Sequence, residues 1–263
     1  MNYELTGKWY DRLWASFIFF TRLPFWRMYQ PPKGAYQAVV EFWPLTGWLT
    51  ASIMAGVLYG ASLYFSYEIA VALAIVSRML VTGALHEDGL ADFFDGFGGG
   101  GRDRQRILDI MKDSHIGTFG VLALVAYLAL LFFALRSLQP EVAVIVILAA
   151  DPYAKMLSAQ MVQMLPYART AETAKSHTVY RKFSVQAGVC LAIQGLLPIA
   201  ACLWLLRQHA DWQMFIFLPC LTMYFLYLFI LRRLRGYTGD CCGAVFLLTE
   251  LTVYLTASYC MAC

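Results

Sequence analysis

Apolar runs long enough to cross a bilayer recur through this chain, and charge is confined almost entirely to the stretches between them. A membrane-spanning helix needs about 20 mainly apolar residues. Seven segments approach or meet that length, at roughly 38–65, 69–86, 117–135, 141–165, 184–206, 213–231 and 243–262. Only 14% of the 263 residues are charged, about half the usual share of a soluble domain. The fold expected is all-α: a polytopic transmembrane helical bundle of about seven spans, forming one domain over 1–263.

Basic residues orient that bundle. If successive connections alternate sides, sixteen of the twenty Lys and Arg residues fall on the side of the N-terminus. The positive-inside rule then puts that side in the cytoplasm and the C-terminus outside. A net charge of +3 gives no reason to expect a nucleic-acid partner. Residues 1–37 read as an interfacial segment, with Trp9, Leu13, Trp14, Phe17 and Phe20 interleaved with Lys8, Arg12 and Arg22. Thr21-Arg22-Leu23-Pro24 should end its helix, and Pro44 could kink the first span. The seven cysteines are mostly in apolar segments, Cys260 and Cys263 closing the chain, and carry no disulfide or zinc pattern.

The chemistry concentrates in residues 86–120. Seven of the seventeen acids lie there. On a helix Asp88, Asp92 and Asp95 stand at i, i+4 and i+7 and share a face, with Glu87 beside the first. Close carboxylates repel unless a cation lies between them, and an all-oxygen set suits a hard ion such as Mg2+ or Mn2+. A solvated acidic face is the plainer alternative. It is disfavoured because Leu90, Ala91, Phe93, Phe94 and Phe97 alternate with the acids. Gly96 and Gly98–Gly101 offer bare backbone that a phosphate could approach.

Residues 102–113 read as a short amphipathic helix, apolar along Ile107, Leu108, Ile110 and Met111. Asp103 and Arg104 suit surface ion pairs. Arg102, Arg106 and Lys112, followed by Asp113, Ser114 and His115 at the next helix entrance, suit phosphate binding. Two further connections on the same side carry Pro166-Tyr167-Ala168-Arg169 with Ser176-His177, and Arg232, Arg233 and Arg235 before Gly236-Tyr237-Thr238-Gly239-Asp240.

Carboxylates and a divalent metal ringed by basic residues at a membrane surface suit a transferase acting on a phosphoanhydride. No Walker or nucleophile-elbow motif offers another energy source or nucleophile. Five ionisable residues, Glu41, Arg78, Asp151, Lys155 and Glu250, fall within or near spans, where charge is costly. Asp151 and Lys155, at i and i+4, could neutralise each other; Arg78 could meet phosphate or a carboxylate. A secondary transporter using Asp151, Lys155 and Glu250 as an ion path is the rival reading. It leaves the acidic face without a role.

Phe20-Thr21-Arg22-Leu23-Pro24, Glu87-Asp88-Gly89-Leu90-Ala91-Asp92 with Asp95-Gly96, and Ile110-Met111-Lys112-Asp113-Ser114 with Ile116-Gly117-Thr118-Phe119-Gly120 resemble the cobalamin synthase family, the adenosylcobinamide-GDP ribazoletransferases. Pro166–Arg169, Tyr237–Asp240 and Leu248-Thr249-Glu250 extend the likeness over nearly the whole chain. His115 departs from the family's usual Arg, and Glu87 from a commonly apolar position. The acid spacing is also similar to that of the CDP-alcohol lipid phosphotransferases, whose Arg after Asp-Gly-x-x-Ala is Asp92 here.

The resemblance implies joining of adenosylcobinamide-GDP and α-ribazole, or its 5′-phosphate, with release of GMP. It implies Mg2+ and a bacterial inner-membrane location with the active face cytoplasmic. On this reading Glu87, Asp88, Asp92 and Asp95 hold metal, and Asp88, Asp92, Asp95 and Asp113 are catalytic, Asp113 as metal ligand or base. Arg102, Arg106, Lys112, Ser114, His115, Arg235 and Asp240 contact substrate or phosphate. Partners are those substrates and the lipid bilayer, with a homo-oligomer or contacts to enzymes of the pathway as further options.

Overall fold

The computed structural model describes residues 7–169, 179–207 and 210–262. Ten α-helices and no strand occur among the described residues. Helix α1 (Trp9–Phe20) ends where Thr21 turns extended, before Pro24. The chain then runs through 3-10 turns to α2 (Trp43–Ser62), and Pro44 opens that helix rather than kinking it. Helices α3 (Tyr67–Thr82), α6 (Thr118–Arg136), α7 (Pro140–Met164), α8 (Val185–Leu205), α9 (Trp212–Leu234) and α10 (Gly239–Ala262) occupy the other expected segments.

Five of these, α6 to α10, are long and apolar enough to cross a membrane unaided, and a sixth is counted if α3 is joined to the helix after it. The seventh segment is α2, which carries no charge but is diluted by Gly, Thr and Trp. Helices α7 and α10 form the middle of the bundle. Each buries 78% of its most apolar stretch inside the protein, whereas α9 buries 17% and turns its remaining surface outward. Helix α2 packs between α3 and α7, and α10 touches α4, α6, α7 and α9.

The segment 69–86, expected as one span, is broken. Gly83 (φ +65°) and Ala84 (φ +54°) are both left-handed, and α4 (Leu85–Gly99) leaves α3 at 89°. A left-handed Ala costs roughly 1–2 kcal/mol, so the break needs support. The backbone N–H of Arg22 donates to Val81 O (2.7 Å), and a Cβ at position 83 would collide with the Arg22 side chain. The segment after α1 thus clamps the corner from which the acidic helix starts.

The glycines of α4 are used for packing, not for an open approach. Added Cβ atoms would come within 2.6 Å of Met111 Cγ at Gly96, 2.6 Å of the Phe119 ring at Gly98 and 2.5 Å of Ile107 Cγ1 at Gly100. Helix α5 (Arg104–Lys112) and the start of α6 lie directly against them, burying Ile107, Leu108 and Met111. Gly101 alone of that run has open space around it. Asp103 caps α5 by accepting from the Gln105 (2.8 Å) and Arg106 (3.3 Å) amides, so the expected Asp103–Arg104 ion pairs are replaced by a cap.

Candidate functional site

One end of the bundle gathers α1, α4, α5 and the connections 165–169, 179–184 and 235–238. Two backbone bonds stitch the connections together: Tyr237 N donates to Pro166 O (2.9 Å) and Ala168 N to Tyr237 O (2.8 Å). Arg104 reinforces them, donating to Leu234 O (2.8 Å) and Ala168 O (2.7 Å). Arg169 donates to Leu108 O (2.7 Å) on α5. Thr238 begins α10, its hydroxyl accepting from Cys241 N (3.3 Å) and donating to the Asp240 carboxylate (3.3 Å). Ser176, His177 and Lys175 lie outside the described residues, as does Cys263.

Helix α4 crosses the start of α10 at close range. A Cβ on Gly89 would lie 3.1 Å from Asp240 Cα, and one on Gly243 would lie 3.4 Å from His86 O. The crossing opens a cleft of about 250 Å³ whose mouth carries Asp88, Arg169, Gly239 and Asp240, with the buried Thr238 also in its lining. Its interior is aromatic, with Phe19, Phe20, Trp43 and Tyr180 around His86. A second depression of about 320 Å³ shares Arg169 and continues to Arg104, Asp109 and Lys112.

The four acids assigned to the metal do not share one environment. Asp88 is exposed and lines the cleft, and Asp92 is half-buried one turn further on. Asp95 is buried, and its two carboxylate oxygens accept the Gly117 (2.7 Å) and Gly120 (2.9 Å) amides at the start of α6. There it answers amides that a helix start leaves without partners. Glu87 turns into the bundle, with one oxygen 3.7 Å from Arg78 and the other without a hydrogen-bond partner among the described residues. Among the described residues no three His, Cys, Asp or Glu side chains converge closely enough to hold an ion unaided.

The remaining assigned residues divide between the cleft and the surface. Asp240 is at the mouth and Lys112 in the adjoining depression. Asp113, Ser114 and His115 form an exposed turn, where Asp113 Oδ1 accepts the His115 amide (3.1 Å) and faces His115 Nδ1 (2.7 Å). That contact raises the His115 pKa and holds the Asp113 carboxyl below its usual range. Arg102, Arg106 and Arg235 are exposed and do not line the cleft. Arg233 is turned inward, donating to Phe97 O (3.2 Å) and Gly101 O and so closing the end of α4.

Each of the five charges expected within or near the spans has a partner of opposite sign. Arg78 contacts Glu250 (2.5 Å) and donates to Tyr127 (2.7 Å), while Tyr254 donates to Glu250 (2.9 Å). Lys155 meets Asp151 (2.6 Å) and Thr50 (3.0 Å). Glu41 accepts from Arg12 (2.5 Å) and Arg181 (2.7 Å). Arg78 is therefore a carboxylate partner. The residues that would form a transporter's ion path are each tied to an opposite charge.

The profile of the cobalamin-5-phosphate synthase family matches residues 12–258. The chain belongs to that family. Curated relatives named adenosylcobinamide-GDP ribazoletransferase include one from Leptospira interrogans, 30% identical over 96% of both chains. One from Pseudoalteromonas atlantica is 36% identical over 97% of this chain and 91% of its own. A Vibrio cholerae relative is 35% identical over 82% and 80%. No solved structure matches the chain. The family match spans every residue that lines the cleft, together with the clamp at Arg22 and the two stitched connections.

Two parts of the site escaped sequence reasoning. Arg169 was legible as part of the Pro166–Arg169 motif but was given no role at the site, and the aromatic interior draws on α1, α2, α4 and the connection before α8. The opposite signs of Arg78 and Glu250, both at span depth, were the available signal for their pairing.

Proposed function

We propose that the chain is an adenosylcobinamide-GDP ribazoletransferase of the inner membrane with its cleft on the cytoplasmic side. It joins adenosylcobinamide-GDP to α-ribazole, or its 5′-phosphate, giving adenosylcobalamin, or its 5′-phosphate, and GMP. The observation that carries this reading is the cleft itself, which is lined by Asp88, Asp240 and Arg169 together at the N-terminal end of α10. Anionic oxygens are favoured at such a helix end, and the absence of a Cβ at Gly239 leaves the backbone open to them.

In the reaction a ribose hydroxyl oxygen attacks the phosphorus that bears the cobinamide. The bond from that phosphorus to the GMP oxygen breaks, and the hydroxyl proton passes to a carboxylate. Asp88 and Asp240 are the carboxylates at hand, and Asp113 stands further out on its turn. Arg169 holds the phosphate oxygens, with Lys112 in the adjoining depression receiving the departing GMP. A divalent cation such as Mg2+, when bound, neutralises the phosphate oxygens and stabilises the leaving group. Asp88, with Asp240 across the cleft or Asp92 one turn along α4, would supply one or two carboxylates to it. An oxygen-only set short of a full cage suits Mg2+, which keeps several waters and takes one or two carboxylates plus phosphate. Asp95 serves this arrangement by fixing α6 against α4, and Glu87 by anchoring α4 to Arg78.

Purified protein in lipid vesicles, given adenosylcobinamide-GDP, α-ribazole 5′-phosphate and Mg2+, should release GMP and cobamide one to one. EDTA should stop the release and added Mg2+ restore it. Folded protein that releases no GMP refutes the transferase, and turnover that survives EDTA refutes the metal.

A further inference from the structure

The interior of the cleft differs in chemistry from its mouth. Phe20, Trp43 and His86 lie nearly parallel: Phe20 and Trp43 at 13° with centroids 5.1 Å apart, Phe20 and His86 at 11° and 6.2 Å, Trp43 and His86 at 20° and 5.9 Å. The Tyr180 ring, which also lines the cleft, meets Phe19 edge-on at 6.0 Å. Two of these lining residues, Trp43 (2% exposed) and His86 (4% exposed), carry ring nitrogens with no hydrogen-bond partner among the described residues, Trp43 Nε1 and His86 Nε2. Buried polar atoms are almost always paired, and an indole nitrogen can only donate. A bound group with an acceptor nitrogen and otherwise apolar edges would satisfy such a wall.

We propose that this interior is the seat of the acceptor's base, a planar benzimidazole whose unsubstituted ring nitrogen accepts from Trp43 Nε1 or His86 Nε2, and that Trp43 and His86 are specificity-determining residues. The assignment rests on the ribazole-transfer reading and adds to it which end of which substrate lies inside. Guanine and the adenine of the adenosyl group, the other planar bases in the reaction, each have donors and acceptors around most of the edge. Burying that edge among Phe19, Phe20 and Trp43 would leave several of them unpaired, which is costly. A benzimidazole has one such atom. With its ring inside, the attached ribose extends to the mouth, beside Asp88 and Asp240, where the attacking hydroxyl is needed.

The test is equilibrium dialysis of the full chain in lipid nanodiscs, without the corrinoid substrate, using three probes. These are α-ribazole, the corresponding dimethylindole α-riboside that lacks the acceptor nitrogen, and GMP. Wild type should bind α-ribazole about tenfold or more tightly than the indole analogue, the discrimination expected of one buried hydrogen bond. His86→Phe and Trp43→Phe keep a ring in the stack. At least one of them should abolish that preference while leaving GMP binding unchanged, and His86→Gln, which restores an N–H donor, should recover part of any loss caused by His86→Phe. Equal binding of the two ribosides by wild type, or preference retained in both Phe variants, overturns the proposal, as does a loss confined to GMP. Binding is read without turnover, so a wild type that discriminates the ribosides yet releases no GMP overturns the transferase reading and supports the base site.

Discussion

At the scale of single residues, the acidic helix shows how one spacing can serve two purposes. Asp88, Asp92 and Asp95 do share a face of α4, as i, i+4 and i+7 require, but the face has different neighbours along its length. Its first turn borders the start of α10, and its later turns border α6. Asp95 therefore becomes the acceptor for two α6 amides, whereas Asp88 reaches the cleft. Asp95→Ala should destabilise the protein by roughly 2–3 kcal/mol, because two amides lose a charged acceptor. Thermal unfolding of the variant in detergent measures this, and an unchanged midpoint refutes it. Periodicity could place the three acids together; it contained nothing about where α6 would begin relative to them. At His115 the Asp113 hydrogen bond raises the imidazole pKa above its ordinary 6.5. The contribution of that pair is complete below the ordinary histidine value and lost as pH rises through the raised one. Asp113, held below its ordinary 3.8, keeps its charge into acid. An NMR titration should give His115 a pKa above 6.5 that returns toward 6.5 in Asp113→Asn.

At the scale of elements, the corner between α3 and α4 decides what α4 can do. Only Arg78 brings a full charge into 69–86, and no proline marks the change of direction, so the sequence reads as one span. Gly83 was the visible cue, and its effect depends on Arg22, sixty-one positions earlier, folding over it. Gly83→Ala should cost about 1 kcal/mol for the left-handed backbone and more for the clash with Arg22. Behind α4, Arg78 is held between Glu250 and Glu87 in the bundle. Arg78→Met leaves two buried carboxylates without their cation and should destabilise by about 3–5 kcal/mol. Glu250→Gln should cost less, since Glu87 still faces Arg78. The order of the two unfolding midpoints tests the network; equal midpoints, or the reverse order, would show that Glu87 takes no part in it.

At the scale of the whole molecule, sequence logic was strongest. Alternation of basic connections placed α1, 86–120, 166–183 and 232–240 on one side, and the described parts of these converge around one cleft. The opposite end is joined by Ser137 with Ser258 (2.6 Å) and Arg136 with Glu68 (2.6 Å). Alkaline phosphatase fused after Ser137 should be active, as expected outside the cytoplasm, and inactive when fused after Arg102. What the sequence could not convey was convergence itself, because the cleft mouth joins residues more than 150 positions apart. The most direct test of the account compares single-turnover GMP release by wild type and by Asp88→Asn in the same lipid vesicles. With the variant shown to be folded, a fall of at least about 100-fold is expected for a carboxylate acting at the reacting centre. Equal rates would contradict the assignment of the cleft mouth as the place where the phosphoanhydride is broken.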